Sequence, residues 1–188
     1  MHIKQVIAKK ILALFGWEVT GDAPCTEKGL FVVAPHTHWQ DFPLGLLVRQ
    51  YLGLNVRFIA KKSLFSGVKG RVFRLLGGYP VDRSRSQGYV QSVAAIFDQH
   101  ERFYIAIAPE GTRRKVERLK TGFYYIALEA QVPMYLTAFD YSKKKVHITG
   151  PVWPDPSNEN QFDDISAHFS GVQGRVPAYS FTKINEKE

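Results

Sequence analysis

Short apolar runs alternate with amphipathic helical patterns along most of this sequence, and this alternation limits the possible folds more than any other feature. The run at 30–34, LFVVA, is typical of a buried strand, and a helical pattern separates it from the next apolar run. The predicted strands lie at 30–34, 56–60, 103–108, 133–139 and 145–148, and the predicted helices at 43–52, 68–76, 87–100, 122–130 and 163–169. Strands that alternate with helices favour an α/β domain with a mostly parallel sheet flanked by helices.

Length and local composition indicate a single domain with a short segment on either side. The chain has 188 residues, which is enough for one hydrophobic core of ordinary size. Residues 1–16 form the pattern of a basic amphipathic helix. The apolar positions of that helix are Ile3, Ile7, Ile11, Leu14 and Phe15. We expect it to pack on the domain at 17–150, with a lipid interface as the alternative, and we expect 151–188 to form a C-terminal extension packed on the same domain.

The positive charge of the chain is concentrated rather than spread. Lys and Arg number 25 against 17 Asp and Glu, which leaves a formal charge of +8. The stretch 49–87 holds nine basic residues and one acidic residue, Asp82, and a second basic group lies at 113–120. Such a field attracts nucleic acid, anionic lipid or a phosphorylated small molecule, although an ordinary solvated surface is the simpler alternative. No zinc-finger, helix-turn-helix or RNA-binding signature accompanies the charge, so nucleic acid is not expected as a partner.

Several protein classes are disfavoured by the sequence. Cys25 is the single cysteine, which excludes an internal disulfide framework and a multi-cysteine metal site and is compatible with a reducing compartment. No apolar run approaches the roughly 18 residues of a membrane-spanning helix. Lys9 and Lys10 interrupt the N-terminal apolar pattern, so a signal peptide is not expected. A soluble or membrane-surface protein is therefore predicted.

The loop after the strand at 30–34 holds the first candidate chemistry. The sequence there is PHTHWQDFPLG, with His36 and Asp41 five positions apart. Ligands of α/β proteins gather beyond the carboxyl ends of the strands, where this loop is expected to lie. A carboxylate on one imidazole nitrogen would fix the tautomer, and the other nitrogen could then deprotonate a hydroxyl. His36 and Asp41 are therefore the candidate catalytic pair.

Two other interpretations of this loop remain open. Asp41 precedes Pro43 and a helical pattern, so it could simply cap the helix while His36 is an ordinary loop residue. A metal-dependent hydrolase using His36, His38 and Asp41 is the second alternative. The metallo-β-lactamase pattern HxHxDH would place Asp at position 40, four residues after the first His, where this chain has Gln. No metal site is therefore expected.

Two further loops combine glycine with arginine. Gly77 and Gly78 precede a short extended run that ends at Arg83, and glycine lets the backbone approach a ligand closely while Arg binds phosphate oxygens. The strand at 103–108 runs into Pro109-Glu110-Gly111-Thr112-Arg113. Such a loop could hold a polyol phosphate, with Glu110 accepting from hydroxyls and Arg113 meeting the phosphate, or it could be an ordinary loop salt bridge. Neither loop has a nucleotide-binding signature.

Taken together and in order, these segments resemble the four motifs of the glycerolipid acyltransferase family, which includes the 1-acylglycerol-3-phosphate acyltransferases. The features on which the resemblance rests are His36-x4-Asp41, Gly77-x5-Arg83, the run EGTR at 110–113, and the Val-Pro pair at the start of the strand at 133–139. Lys61, in AKKSLF, resembles the family's lysine between the first two motifs. The resemblance covers about residues 28–150. It implies an α/β fold with a mostly parallel sheet, in agreement with the alternation of strands and helices.

The resemblance implies a role for each matched residue. His36 would deprotonate the acceptor hydroxyl, and Asp41 would orient His36. Lys61, Arg83 and Arg113 would hold the anionic head of the acceptor. Glu110 and Gly111, with Thr112 beside them, would shape the site for its glycerol. No covalent acyl-enzyme is needed, which suits a chain without a nucleophile elbow, and no cofactor is implied besides the acyl donor itself.

The resemblance also implies partners and a location. The donor would be acyl-CoA or acyl carrier protein, and the acceptor a lysophospholipid, with 1-acylglycerol-3-phosphate as the first choice. Another lysolipid, such as a lyso-aminolipid without phosphate, is the alternative. Because both acyl chains are poorly soluble, we expect a peripheral enzyme on the cytoplasmic face of an anionic membrane. The helix at 1–16 and the basic stretch 49–87 would contact that surface.

Overall fold

A computed structural model of the chain describes residues 3–81 and 88–182. In these two ranges seven strands form one sheet, and six α-helices flank it. The strands are β1 (Glu18–Gly21), β2 (Lys28–Ala34), β3 (Val56–Lys61), β4 (Gly78–Val81), β5 (Phe103–Ile107), β6 (Met134–Asp140) and β7 (Lys145–Val152). The α-helices are α1 (Ile3–Leu14), α2 (Asp41–Leu52), α3 (Gly67–Leu75), α4 (Tyr89–Asp98), α5 (Gly122–Glu129) and α6 (Gln161–Phe169). Short 3-10 helices lie at Lys62–Phe65 and Pro177–Tyr179.

The sheet is mostly parallel, which confirms the predicted α/β class. Its strand order is β1-β7-β6-β2-β5-β3-β4. The five strands β2 to β6 pair in parallel, whereas β7 is antiparallel to β6 and parallel to β1. Helices are therefore needed to carry the chain from the end of one parallel strand to the start of the next.

Both faces of the sheet are covered, and strand β2 shows how the sequence produces this. Leu30 and Val32 are fully buried in the core that α4, α5 and α6 build, whereas Phe31 and Val33 face the core under α1 and α2. Successive side chains of a strand point to opposite faces, so a strand covered on both sides has no polar positions. This explains the unbroken apolar run at 30–34.

The boundaries of some elements differ from those predicted. Strand β1 is four residues long and is absent from the predicted strands, because so short a run carries little periodicity. Strand β4 is equally short and lies in the extended run expected after Gly77 and Gly78. Helix α2 begins at Asp41 rather than at 43, since Pro43 in a first turn has no hydrogen bond to lose. Strand β7 continues to Val152 and so passes the expected end of the domain at 150.

Helix α1 packs against α2, but not through its predicted apolar face. Ala8 and Leu12 are buried, whereas Ile3 is 76% exposed and Leu14 is 81% exposed. The apolar stripe through Ile3, Ile7 and Leu14 therefore faces outward. None of the described helices combines the length and the apolar content needed to cross a bilayer.

Parallel pairing brings several loops to one edge of the sheet. Strands β2 and β5 run in register up to Val32 and Ile107, and β2 and β6 up to Ala34 and Ala138. The carboxyl ends of these strands lie at the same edge, which is where ligands of such sheets bind. The loop after β2, the loop after β5 and the turn after β6 therefore meet.

Candidate active site

The loop after β2 places His36 and Asp41 in direct contact. His36 Nδ1 lies 3.0 Å from Asp41 Oδ2. The same carboxylate oxygen accepts hydrogen bonds from the backbone N–H groups of Thr37 and His38, each at 2.9 Å. Asp41 opens helix α2, yet its carboxylate bonds the loop before the helix and not the helix amides. It therefore shapes the loop around His36 rather than serving as a simple helix cap.

Asp41 is held in its charged form although its side chain is only 3% exposed. Burial by itself would raise the pKa of this carboxyl. The hydrogen bonds from His36, from the His38 amide and from the hydroxyl of Tyr141 outweigh that effect and lower the pKa below its usual value. A fixed negative charge therefore faces Nδ1 of His36.

Tyr141 supplies the bond to the other oxygen of this carboxylate. Its hydroxyl donates to Asp41 Oδ1 over 2.7 Å. Burial and the adjacent carboxylate raise the pKa of Tyr141, so the phenol keeps its proton and acts as a donor. The edge of the ring stacks against Trp17 at 4.8 Å between centroids, and the Tyr141 N–H donates to the Gln173 carbonyl. Tyr141 is thus held by three separate parts of the chain.

The contacts of His36 define which ring nitrogen is free to react. Because Nδ1 faces a carboxylate that can only accept, Nδ1 carries the proton and Nε2 has the lone pair. Nε2 accepts a hydrogen bond from Nε of Arg113 at 3.3 Å. The His36 side chain is 24% exposed and Arg113 is exposed, so this nitrogen lies at the surface of the site. The arrangement suits proton abstraction at Nε2.

Glu110 lies behind His36 rather than in front of it. The residue is 1% exposed, and its Oε1 accepts the backbone N–H of His36 at 2.8 Å. Burial raises the pKa of Glu110, in spite of that hydrogen bond. Its Oε2 is buried without a hydrogen-bond partner among the described residues. Glu110 supports the His36 backbone, and its contact with an acceptor hydroxyl stays a prediction.

The rest of the EGTR loop is more open. Gly111 has φ +66°, a left-handed backbone conformation that favours glycine. Thr112 Oγ1 accepts the backbone N–H of Arg114 at 3.3 Å. Arg113 next to this turn reaches across the sheet edge to His36. The structure therefore brings the first and third motifs together.

For the other predicted site residues, Lys61 and Arg83, the structure gives a position at most and no contact with His36. Lys61 is the last residue of β3 and is exposed at the same sheet edge. Arg83 lies outside the described residues. Gly77 has φ +92° and precedes β4, and a Cβ there would meet the guanidinium groups of Arg49 and Arg57. The side chains of these two arginines occupy the space beside Gly77, which explains the glycine at this position.

The C-terminal segment also contacts the loop after β2, and sequence patterns gave no sign of this. The Val176 N–H donates to Thr37 Oγ1 at 3.1 Å, and Arg175 Nε donates to the side chain of Gln40 at 2.8 Å. A Cβ on Gly174 would lie 2.6 Å from Thr37 Oγ1. These residues are more than 130 positions from the loop, so no local pattern could reveal the contact. Tyr141 had one usable signal, its position just after a buried strand that ends at the same edge.

The alternative interpretation as a metal site finds no cluster to support it. Among residues 3–81 and 88–182, His, Cys, Asp and Glu form no group of three that could hold a metal ion. His38 Nδ1 accepts the Gln40 N–H at 3.4 Å, and both oxygens of Asp41 are engaged in the bonds given above.

Comparisons with known proteins identify a family and a similar fold. A sequence model of the family described as Acyltransferase matches residues 16–139. The fold is similar to the crystal structure of the 1-acyl-sn-glycerophosphate (LPA) acyltransferase, PlsC, from Thermotoga maritima, with a TM-score of 0.56 and 19% identity over 88% of this chain and 74% of that chain. A search of curated proteins gave no significant match. The matched segment contains the loops after β2 and β5 and ends just before Tyr141.

Proposed function

This chain belongs to the acyltransferase family, and we propose that it moves a fatty acyl group from a thioester donor to the hydroxyl of a lysophospholipid. The family membership makes it an acyltransferase. The observation that supports the proposed chemistry is the bond between His36 Nδ1 and Asp41, which leaves Nε2 at the surface of the site as a base. Our proposal concerns the identity of the acyl donor and of the acyl acceptor.

In the proposed reaction, Nε2 of His36 removes the proton of the acceptor hydroxyl as the oxygen attacks the thioester carbonyl. The C–O bond forms, the C–S bond breaks, and the departing thiolate takes the proton from the imidazolium. The charge on Asp41 stabilises the imidazolium between these two transfers. Proton transfer by a positioned base is worth roughly 10²–10⁴ in rate. No covalent acyl-enzyme and no cofactor take part.

Arg113 links the binding of the acceptor to the base. Its Nε lies 3.3 Å from Nε2 of His36, where the acceptor hydroxyl has to arrive. A phosphate or other anionic head offers the guanidinium stronger, bidentate hydrogen bonds than a neutral imidazole does. We expect the anionic head to draw Arg113 from His36, which makes Nε2 accessible to the hydroxyl.

We propose 1-acylglycerol-3-phosphate as the preferred acceptor. Lys61, Arg83 and Arg113 would bind its phosphate, while Glu110, Gly111 and Thr112 would shape the site for its glycerol. The support for an anionic head is the basic edge of the site, where Lys61 and Arg113 are both exposed. Acylation of a lyso-aminolipid by the same chemistry is the alternative, and it would leave these basic groups without a phosphate.

We propose acyl-CoA or acyl carrier protein as the donor. Both are strongly acidic, and a chain with a net charge of +8 attracts them electrostatically. Because both donors occur in the cytoplasm, the proposed location is the cytoplasmic face of the membrane.

Helix α1 supports the proposed peripheral contact with an anionic membrane. Its outward stripe through Ile3, Ile7 and Leu14 is exposed, and Lys4 and Lys10 lie on either side of it by helical geometry. An apolar stripe bordered by lysine is typical of a helix that lies in the plane of a lipid surface.

A screen of lysolipid acceptors, with product detection by mass spectrometry, tests the proposed reaction. We expect acyl transfer to 1-acylglycerol-3-phosphate with at least one of the two donors. His36→Ala should reduce turnover by about 10²–10⁴. His147→Ala, which removes an exposed imidazole on β7, is the matched control and should leave turnover unchanged. Full turnover in a folded His36→Ala variant would contradict the proposed base.

A further inference from the structure

A second outward apolar stripe runs along α3 and the 3-10 helix before it. Val68, Val72 and Leu75 are 77%, 49% and 84% exposed, and they are spaced as neighbours on one side of a helix. Leu64, in the preceding 3-10 helix, is 45% exposed. Four large apolar side chains on one short segment form a patch of the kind that marks an interaction surface. We call this set of four residues the α3 stripe.

Basic residues border the α3 stripe. By helical geometry Lys69 lies on one side of it and Arg71 on the other, and both are exposed. Lys61 and Lys62 continue the positive charge towards the carboxyl end of β3. Within the described parts of the chain, no carboxylate forms an ion pair with Lys69 or Arg71. The natural partner of such a surface has an apolar interior and a negative exterior.

The α3 stripe faces the same way as the stripe on α1. Phe73 of α3 packs against Phe58 of β3, and Phe58 also meets Phe42 of α2. Val56, two residues before Phe58 on the same strand face, belongs to the core beneath α1 and α2. Helices α1, α2 and α3 therefore lie in one layer on one face of the sheet. Two outward apolar stripes on one layer match a flat partner better than a rounded one.

The position of α3 also connects this surface to the active site. The 3-10 helix Lys62–Phe65 follows directly after β3, which ends at the same sheet edge as the loop of His36. A partner seated on the α3 stripe would thus lie beside Lys61, at the entrance for the acceptor. A lipid surface in that position delivers an acyl acceptor without passage through water.

We propose that the α3 stripe inserts into the surface of an anionic phospholipid bilayer. The apolar side chains of α3 enter the acyl boundary while Lys69 and Arg71 bind lipid phosphates. This second contact fixes the orientation of the enzyme, because one amphipathic helix alone would leave it free to turn about that helix. The inference rests on the proposed function only for the lipid nature of the acceptor.

Flotation with vesicles tests this proposal separately from catalysis. Vesicles of phosphatidylcholine with phosphatidylglycerol are compared with vesicles of phosphatidylcholine alone. The variant Val68→Ser/Leu75→Ser should bind the anionic vesicles about tenfold more weakly or worse, because two exposed apolar side chains no longer enter the bilayer. Tyr125→Ser/Trp153→Ser removes two exposed apolar side chains elsewhere, 53% and 54% exposed, and should bind like the wild type.

A second variant tests whether vesicle binding requires the positive charge beside the α3 stripe. Lys69→Gln/Arg71→Gln should weaken binding to the anionic vesicles by about fivefold or more for each charge removed. Binding to phosphatidylcholine alone should not change. Equal weakening on both kinds of vesicle would contradict the charge complementarity on which the proposal stands.

A fluorescent reporter locates the contact. Cys25 is the single native cysteine, so in a Cys25→Ser background one introduced cysteine is the only attachment site for a dye. An environment-sensitive dye on Val68→Cys should shift to the blue when anionic vesicles are added, and the same dye on Tyr125→Cys should not. Vesicle binding without a shift at position 68, or no binding by the wild type, would overturn the proposal. So would a dimer in solution that Val68→Ser/Leu75→Ser converts to monomer, because the stripe would then contact a second copy.

Activity is measured in the same variants on a dispersed, short-chain acceptor without vesicles. Val68→Ser/Leu75→Ser should keep wild-type turnover there. Loss of vesicle binding with retained turnover supports the membrane contact, whereas a wild type that binds vesicles and transfers no acyl group contradicts the proposed reaction alone.

Discussion

The hydroxyl of Tyr141 donates a hydrogen bond to Oδ1 of Asp41 over 2.7 Å, across 100 positions of sequence. This bond fixes the orientation of the carboxylate that faces His36. Without it, Asp41 would keep its bonds to the loop amides but could rotate about them. Tyr141 therefore acts on His36 through Asp41, as a positioning residue.

Tyr141→Phe should lower kcat about tenfold while KM for both substrates stays near the wild-type value. The removed bond is to a charged group and is worth about 1.5–3 kcal/mol. Steady-state kinetics with both substrates varied is the measurement. Tyr79→Phe, which loses a hydroxyl bonded to His100 in the core, is the matched control and should not change kcat. Equal losses in the two variants would show a general packing effect instead.

Asp41→Asn should lower kcat by about 10²–10⁴, because a neutral amide does not stabilise the imidazolium. The variant should also change the acid stability of the fold. In the folded wild type the pKa of Asp41 lies below its usual value of 3.8, so its ionised form stabilises the fold above that value. That stabilisation is lost as the pH falls through the folded-state pKa.

Urea unfolding at a series of pH values measures this effect. The free-energy difference between the wild type and Asp41→Asn should be largest above pH 3.8 and should shrink as the solution becomes more acidic. Asp155→Asn, at an exposed residue whose carboxylate accepts hydrogen bonds from Ser157 in a surface turn, should keep wild-type turnover. A difference that does not depend on pH would refute the assignment of the charge to Asp41.

Glu110→Gln should change the pH dependence of the free energy of unfolding in the opposite sense to Asp41→Asn. Burial raises the pKa of Glu110 above its usual value of 4.5, so its ionisation opposes folding. Wild-type stability should fall as the pH rises from 4.5 through the folded-state pKa, and the variant should lack this slope. The glutamine can still accept the His36 N–H. Glu129→Gln, at an exposed carboxylate of α5, should retain the wild-type slope.

Arg113→Ala should raise KM for a phosphate-bearing acceptor about tenfold to a hundredfold, since a charge-assisted hydrogen bond is lost. A neutral lysolipid should show no such loss, because it has no anionic head to bind. Arg114→Ala makes the same charge change one residue away and serves as the control. An equal rise of KM with both acceptors would indicate that Arg113 does not recognise the head group.

Gly174→Ala should reduce both thermal stability and turnover, because its Cβ would lie 2.6 Å from Thr37 Oγ1. Overpacking of this kind costs about 1–3 kcal/mol. Gly122→Ala, where a Cβ would meet nothing within 4 Å, is the control for the loss of a glycine. Thermal unfolding and initial rates give the two readouts. Unchanged turnover in Gly174→Ala would mean that the C-terminal segment does not support the catalytic loop.

The sequence predicts the fold class because strands buried on both faces leave long apolar runs, of which 30–34 is the clearest. It also predicts the His36–Asp41 pair, since the two residues are close in the chain and share one loop. Gly174 escapes sequence reasoning because its contact with that loop forms only in the folded chain, and for Tyr141 the position after a buried strand is the one local signal. The outward stripe of α1 shows another limit: periodicity indicates that a helix is amphipathic, but not which side meets the core.

The bond from the Val176 N–H to Thr37 Oγ1 joins one of the last described segments to one of the first loops. During synthesis on the ribosome, the loop of His36 emerges long before its partner at 173–176 is translated. A nascent chain therefore holds His36 without the C-terminal segment that contacts its loop. We expect newly made enzyme to gain activity only after its C-terminal part has left the exit tunnel, so that translation itself sets the moment of activation.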